Sequence, residues 1–454
     1  MTVSRYLCAS LMLGLLAAPA VQAEPVRADG YTHMRSLGGI DEYRLDANGL
    51  TVLLLPTHAA PVVTFQVTYL VGSRNEVTGT TGSTHLLEHL MFKGSKHFSK
   101  EAGNSIDVYL ERAGASFNAS TAQDRTNYYG TLGPDALPGY IAIEGDRMRG
   151  LLLRESDRKD EMTVVRNEYE RGENDPNSAL NQLVWASAFE AHPYHHPVIG
   201  WRSDIENVPI EKLRAFYDTY YWPNNATVTV VGDIDPKQVL GLIRKDFGSI
   251  PHSPQPIPKV YTTEPEQQGA RRVLLERAGD TSTVMVDWKS PRALDPDMPA
   301  ITMLKLVLSQ GKSSRLSRAL VDTSLASYAS ASASMLHDPS LFSADVMLAP
   351  GVTHEKVEQV ILAEVDKIKR DGVTAAEMKR VLGPYRADVA YRRDGTDSAA
   401  GALNEYIAMG DWTLYLTYLD KLEKVTPADV QRVAKKYLNK NQSTTGWFVP
   451  ETSK

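Results

Sequence analysis

The sequence predicts an α+β fold built from two homologous α/β sandwich domains, a duplicated unit joined by a proline-rich linker. Three observations carry this expectation: a repeat at one offset, strand-like and helix-like patterns mixed in both halves, and a cluster of prolines between them. At 454 residues, with 42% hydrophobic and 23% charged content, the composition is globular and the chain is long enough for more than one core.

The repeat comes first, because it sets the architecture. Tyr221 and Tyr437 stand 216 positions apart, within YYWPNNATVTVVGDI and YLNKNQSTTGWFV, and each follows a helix-like stretch opened by Val208-Pro209 or Val425-Thr426-Pro427. Glu161-Met162 begins EMTVVRNE and Glu377-Met378 begins EMKRVLGP at the same separation. The amphipathic segment THLLEHLMFKGSKHF likewise faces ITMLKLVLSQGKSSR. One duplication explains all three pairs.

Strand-like runs occupy residues 50–55 and 64–71 in the first half and 272–275 and 283–288 in the second. Helical patterns lie between them, as at 136–148 and 210–220. Residues 251–268 hold five prolines and few apolar residues in sequence, the signature of an extended linker. The expected domains are therefore 32–250 and 269–450.

At the start, Arg5 precedes an apolar run over 7–18 and the small-residue end Val21-Gln22-Ala23. Residues 1–23 are expected to be a cleaved signal peptide, since the run is shorter than the roughly 20 residues of a membrane span. The chain is then exported, to the periplasm if the source is bacterial, with no stable membrane insertion. Cys8, the only cysteine, leaves with the signal, so a metal site must use His, Asp or Glu. The net charge of −6 with scattered basic residues argues against a nucleic-acid partner.

Chemistry concentrates in the inverted motif His85-Leu86-Leu87-Glu88-His89. Histidines four apart on a helix present both imidazoles on one face, within reach of one ion. Glu88 shares that face and is the expected general base. A catalytic zinc needs a third protein ligand and an open position. In EMTVVRNEYERGEN, Glu161 and Glu168 are two helical turns apart and can face the same neighbour. Glu168 is the candidate ligand and Glu161 the carboxylate that steadies a histidine. Thiols being absent, two imidazoles and a carboxylate favour zinc.

These residues, with GSTHLLEHLMFKGS, GASFNASTAQDRTNYYGTL, VVRNEYERGENDP, HPYHHPVIGW, YYWPNNATVTVVGDID and LSQGKSSRL, resemble the pitrilysin-type inverzincins. Within them the chain is similar to the shorter two-domain branch that includes mitochondrial processing peptidase and bacterial exported peptidases. The resemblance implies one Zn2+ per chain on His85, His89 and Glu168, with Glu88 as base and Glu161 as the second glutamate of its helix. The His89-to-Glu168 gap is slightly longer than in better-known members, which leaves Glu170 and Glu173 as alternatives.

The resemblance further implies that peptide substrates add as an edge strand against the run 115–129, touching Asn118 and Ala119. From the residues alone, Asn118 reads as a turn residue beside Gly114. A clam-like chamber is implied too, closed by two chains as a homodimer or as a heterodimer with a related chain. The second half places Ile301, Lys305 and Pro384 opposite His85, His89 and Glu168 and cannot hold the ion. Gly311-Lys312-Ser313 lacks the glycine a phosphate loop needs at Leu306. His192, His195 and His196 are expected in a structured loop, since two prolines break any converging spacing.

The function expected is zinc-dependent endopeptidase or oligopeptidase action on unfolded peptides, through metal-activated water. The competing expectation is a non-catalytic or partner-dependent subunit of a heterodimeric peptidase.

Overall fold

The computed structural model describes residues 24–451; the expected signal peptide and Cys8 lie outside them. The first half contributes strands β1 (Tyr31–Leu37), β2 (Ile40–Leu45), β3 (Thr51–Pro56), β4 (Val63–Tyr69), β5 (Ser116–Thr121), β6 (Thr126–Leu132) and β7 (Ala226–Gly232). The second contributes β8 (Arg271–Ala278), β9 (Thr283–Ser290), β10 (Ala326–Ala333), β11 (Ser340–Leu348) and β12 (Ser443–Glu451). Helices of the first half are α1 (Ser83–Leu90), α2 (Ile106–Arg112), α3 (Leu137–Gly150), α4 (Glu155–Asn174), α5 (Pro176–Ala188), α6 (Arg202–Asn207), α7 (Ile210–Tyr220) and α8 (Pro236–Phe247). Those of the second are α9 (Met298–Ser309), α10 (His354–Asp371), α11 (Ala375–Tyr391), α12 (Thr396–Met409), α13 (Leu414–Glu423) and α14 (Pro427–Tyr437).

The duplication is visible in the sheets. The first has the order β1-β2-β3-β7-β4-β6-β5 and the second β10-β11-β9-β12-β8. Read from β3 and from β8, the five shared strands follow one order, with β3/β7 and β8/β12 parallel and the rest antiparallel. The first sheet carries two further strands beyond the repeat. In each sheet one end is an unpaired edge at corresponding positions, β5 in the first and β10 in the second.

Strand β4 shows why the halves cannot be separated. Val63, Phe65, Val67 and Tyr69 enter the first core, while all seven residues of the strand are buried. Alternation sends Thr64, Gln66 and Thr68 to the other face, and there they meet α12 of the second half. Thr64 Oγ1 bonds Thr396 Oγ1 at 2.8 Å, Gln66 Nε2 donates to Ala400 O at 3.1 Å, and Thr68 Oγ1 donates to Asn404 Oδ1 at 2.7 Å. Ala399, Ala400, Leu403 and Ile407 of α12 pack with Ile40, Leu53 and Val231.

The exchange is reciprocal. Leu180 and Val184 of α5 pack on Met285 and Phe448 of the second sheet. A side chain at Gly446 of β12 would place its Cβ 2.4 Å from Val184, so glycine there permits the close approach of α5. Each half thus lends one helix to the other's sheet. The proline-rich stretch 251–268 contains no helix or strand. It is pinned to both halves, where Glu264 accepts the backbone N–H groups of Glu190, Ala191 and His192 and Gln267 Nε2 donates to Ser443 O. Among the described residues no helix is long and apolar enough to cross a membrane.

Candidate metal centre

Helix α1 presents His85, Glu88 and His89, and its N-terminus is held from two sides. The buried Glu76 carboxylate accepts the N–H of Gly82 and of Thr84, each at 2.7 Å, which satisfies donors a helix start leaves free. Burial pushes the Glu76 carboxyl up to about 8, opposed by those hydrogen bonds. On the other side the 199–204 segment closes in: Trp201 N donates to Thr81 Oγ1 at 2.9 Å, and Asp204 Oδ2 accepts from Thr81 Oγ1 at 2.7 Å. Gly82 sits at φ 83°, and a Cβ there would lie 2.3 Å from the carbonyl oxygen of Ile199. Glycine is required by both conformation and contact.

The apolar positions Leu86, Leu87 and Leu90 anchor the opposite face of α1 in the core. His85 and His89 therefore turn together toward α4, with ring centroids 4.8 Å apart. Glu168 of α4 meets them: its Oε2 lies 3.7 Å from Nε2 of each histidine. The three donor atoms all fall within 4.8 Å of one another, and among the described residues no other group of three has this property. Two turns earlier, the Glu161 carboxylate accepts from His89 Nδ1 at 3.0 Å, and its other oxygen meets Lys93. Glu170 and Glu173 are engaged elsewhere, with Arg202 at 3.3 Å and Arg277 at 3.1 Å.

The donor spacing can be tested against a tetrahedral ion. Bonds of about 2.1 Å give ligand-to-ligand edges of about 3.4 Å. The 3.7 Å separations are close to that edge and too long for hydrogen bonds, so the three groups face a common point without satisfying one another. Burial, and then the neighbouring His89, lower the His85 pKa to about 4, which leaves a neutral imidazole with a lone pair to offer. His85 Nδ1 is buried without a hydrogen-bond partner among the described residues. These residues fit a zinc ion.

Glu88 leans the other way, toward β5, where Thr121 Oγ1 donates to its Oε2. Burial raises its pKa; the Thr121 bond and the His89 charge oppose the rise. Asn118 lies within edge strand β5 and is exposed, so the reading of it as a turn residue does not hold: the β5 pairing with β6 runs unbroken through Asn118 opposite Tyr129. Its Oδ1 accepts the N–H of the neighbouring Ala119 at 2.9 Å. Of the three loop histidines, His195 lies in a short 3₁₀ turn that His192 and His196 flank, with His192 Nδ1 accepting Tyr194 N at 3.2 Å.

Sequence reasoning missed Thr121, Lys93 and Glu76. Thr121 and Lys93 touch site carboxylates only through the tertiary fold. Glu76 reaches across six and eight residues to its two N–H partners, which no capping pattern anticipates.

The family described as Insulinase (Peptidase family M16) matches residues 51–201, which include every residue of the site, and Peptidase M16 inactive domain matches residues 207–383. The zinc protease PqqE of Helicobacter pylori is 33% identical over 408 residues, covering 89% of this chain and 91% of that protein. The chain belongs to peptidase family M16. Among solved structures, a protease from Helicobacter pylori superposes with a TM-score of 0.86 at 33% identity, covering 91% of this chain and 100% of the other. The periplasmic protease PqqL of Escherichia coli shares the fold at a TM-score of 0.76 and 18% identity, with 92% of this chain covered but only 48% of PqqL.

Proposed function

We propose that this chain is a zinc-dependent endopeptidase or oligopeptidase acting on unfolded peptides. The observation that carries the reading is the convergence of His85, His89 and Glu168 beside an acidic side chain, Glu88, that is not one of the three. His85, His89 and Glu168 would hold the zinc, which would supply Lewis-acid chemistry: acidifying a water and polarising an amide carbonyl. Glu88 takes the proton at its carboxylate and returns it to the leaving amine, and its raised pKa suits both directions of transfer. Thr121 holds the carboxylate by one oxygen and leaves the other for the proton. Glu161 fixes the His89 ring through Nδ1 so that Nε2 faces the ion.

The substrate lies along β5 as an added strand. The Ala119 N–H is taken by the Asn118 side chain rather than by β6, which marks it as pointing to the open edge. A peptide carbonyl replaces that side chain on binding, and Asn118 is freed to contact the peptide.

The first domain, 32–250, carries the catalysis and the second, 269–450, supplies walls and grip. PqqL is about twice as long as the stretch this chain matches, which supports a second chain, identical or related, closing the chamber. Its description as periplasmic supports export of this chain after removal of residues 1–23.

The test is cleavage of a flexible-peptide library by the purified protein before and after chelation. Activity that disappears with chelator and returns with zinc supports the reading. A metal-replete assembly inert toward the whole library overturns it.

A further inference from the structure

The position of His89 in the duplicated unit corresponds to Lys305, and the space around it has not closed up. A cavity of about 680 Å³ lies between α9, α11, α12 and the edge strand β10, with Lys305, Tyr385, Arg392 and Tyr406 on its wall. Two carboxylates line it as well, and each is already paired: Asp388 Oδ2 with Arg392 Nε at 3.0 Å, and Glu405 Oε1 with Arg125 Nη2 at 2.6 Å. Lys305 has no ion-pair or hydrogen-bond partner through its ammonium group among the described residues. It is a half-buried cation in a cavity whose anions are spoken for.

The cavity borders a second one on the Glu168 side of the metal centre. A second cavity of about 320 Å³ is lined by Glu168 and Tyr169 and shares Gln123 and Trp185 with the first. Those two side chains form the divide between the Glu168 side and the Lys305 side. An extended peptide passing along β5 can therefore continue over Gln123 and Trp185 toward β10. That strand presents small side chains on an open edge, Ala331 and Ala333 among them.

We propose that Lys305 is a substrate-binding residue that receives a carboxylate of the bound peptide, either an acidic side chain or the free C-terminus. The proposal rests on the peptidase reading and adds a specificity to it. Its physical basis is desolvation: burial, followed by the Arg392 charge, lowers the Lys305 pKa, with Asp388 opposing. A carboxylate entering the cavity gains a charge-assisted bond and relieves the unpaired ammonium.

Calorimetric titration of chelator-stripped full-length protein tests this with three peptides of one sequence. The first carries an internal Glu and a C-terminal amide, the second an internal Gln and a free C-terminus, the third an internal Gln and an amide. Lys305→Met is expected to weaken at least one of the first two by about tenfold, the magnitude of a lost bond to a charged group, and to leave the third within about twofold. Which of the two weakens identifies the carboxylate. Lys305→Arg restores the affinity, which separates lost charge from lost packing, and in cleavage assays Lys305→Met raises KM without lowering kcat. Equal affinities for all three peptides in the unaltered protein, or a uniform effect of Lys305→Met, overturn the proposal alone. Failure of the unaltered protein to bind any of the peptides, together with failure to cleave them once zinc is restored, overturns the peptidase reading with it.

Discussion

The two halves thread five strands in one order and direction, yet diverge completely where α1 and α4 face each other in the first and α9 and α11 in the second. His85, His89 and Glu168 converge in one; Ile301, Lys305 and Pro384 stand at the repeat-related positions of the other. Ile301 is buried in the second core, and Pro384 sits inside α11, where it removes a helical hydrogen bond. The difference teaches that the fold depends on the apolar faces of strands and helices, which both halves keep. The proposed chemistry depends on a few side chains between two helices, which only one half keeps.

The comparison can be broken most sharply at Glu88. Replacing it by Gln leaves the three donors untouched but removes the proton acceptor, so cleavage is expected to fall about 10³-fold or more with zinc content unchanged; parallel turnover and metal measurements check both parts. A smaller effect is expected from Glu161→Gln, which loosens His89. Competition with a chelator should show zinc affinity lower by roughly 10 to 100-fold, while the corresponding change at Glu377, bound to Arg315 in the second half, leaves zinc affinity alone.

The helix exchange offers a sharper look at why the halves stay together. Gly446→Val drives a side chain into Val184 of α5 and should cost about 2 kcal/mol in urea unfolding. Adding Val184→Ala should recover part of that loss; no recovery would place the strain elsewhere.

The smallest effect concerns two acids on the α5-facing side of the second sheet. Asp287, fully buried, has its pKa pushed well above the carboxylate range by burial and then by Asp345, and Asp345 is itself raised to about 6 by burial. A raised pKa means the folded chain keeps a proton the unfolded chain releases. Stability is therefore unaffected by Asp345 below pH ~4, declines as pH rises from there to about 6, and stays reduced above. Asp345→Asn should be more stable than the unaltered protein by about 1 to 2 kcal/mol at pH 7 and by much less at pH 4. An unfolding difference independent of pH would refute this assignment.

Much of this was legible in the sequence, for identifiable reasons. The 216-residue offset is legible because both halves keep apolar core faces in one pattern, and the same strands reappear in the same sheet order. The i, i+4 and i, i+7 spacings of His85/His89 and Glu161/Glu168 are statements about helix faces, and the structure brings those faces together. The exchange of α5 and α12 was not legible. An amphipathic helix announces that it needs an apolar surface, but Leu180 and Val184 carry no mark of which sheet supplies it. Strand β1 went unseen because it alternates between half-buried and exposed positions without a strong apolar face. The Lys305 cavity required the walls from both halves before it existed.

The most direct measurement is the zinc content of the purified chain and of its ligand variants. One zinc per chain is expected in the unaltered protein and in Lys305→Met, and little or none in His85→Ala, His89→Ala or Glu168→Ala that still unfold cooperatively. A folded Glu168→Ala variant that retains a full equivalent of zinc with unchanged affinity would contradict the three-ligand site.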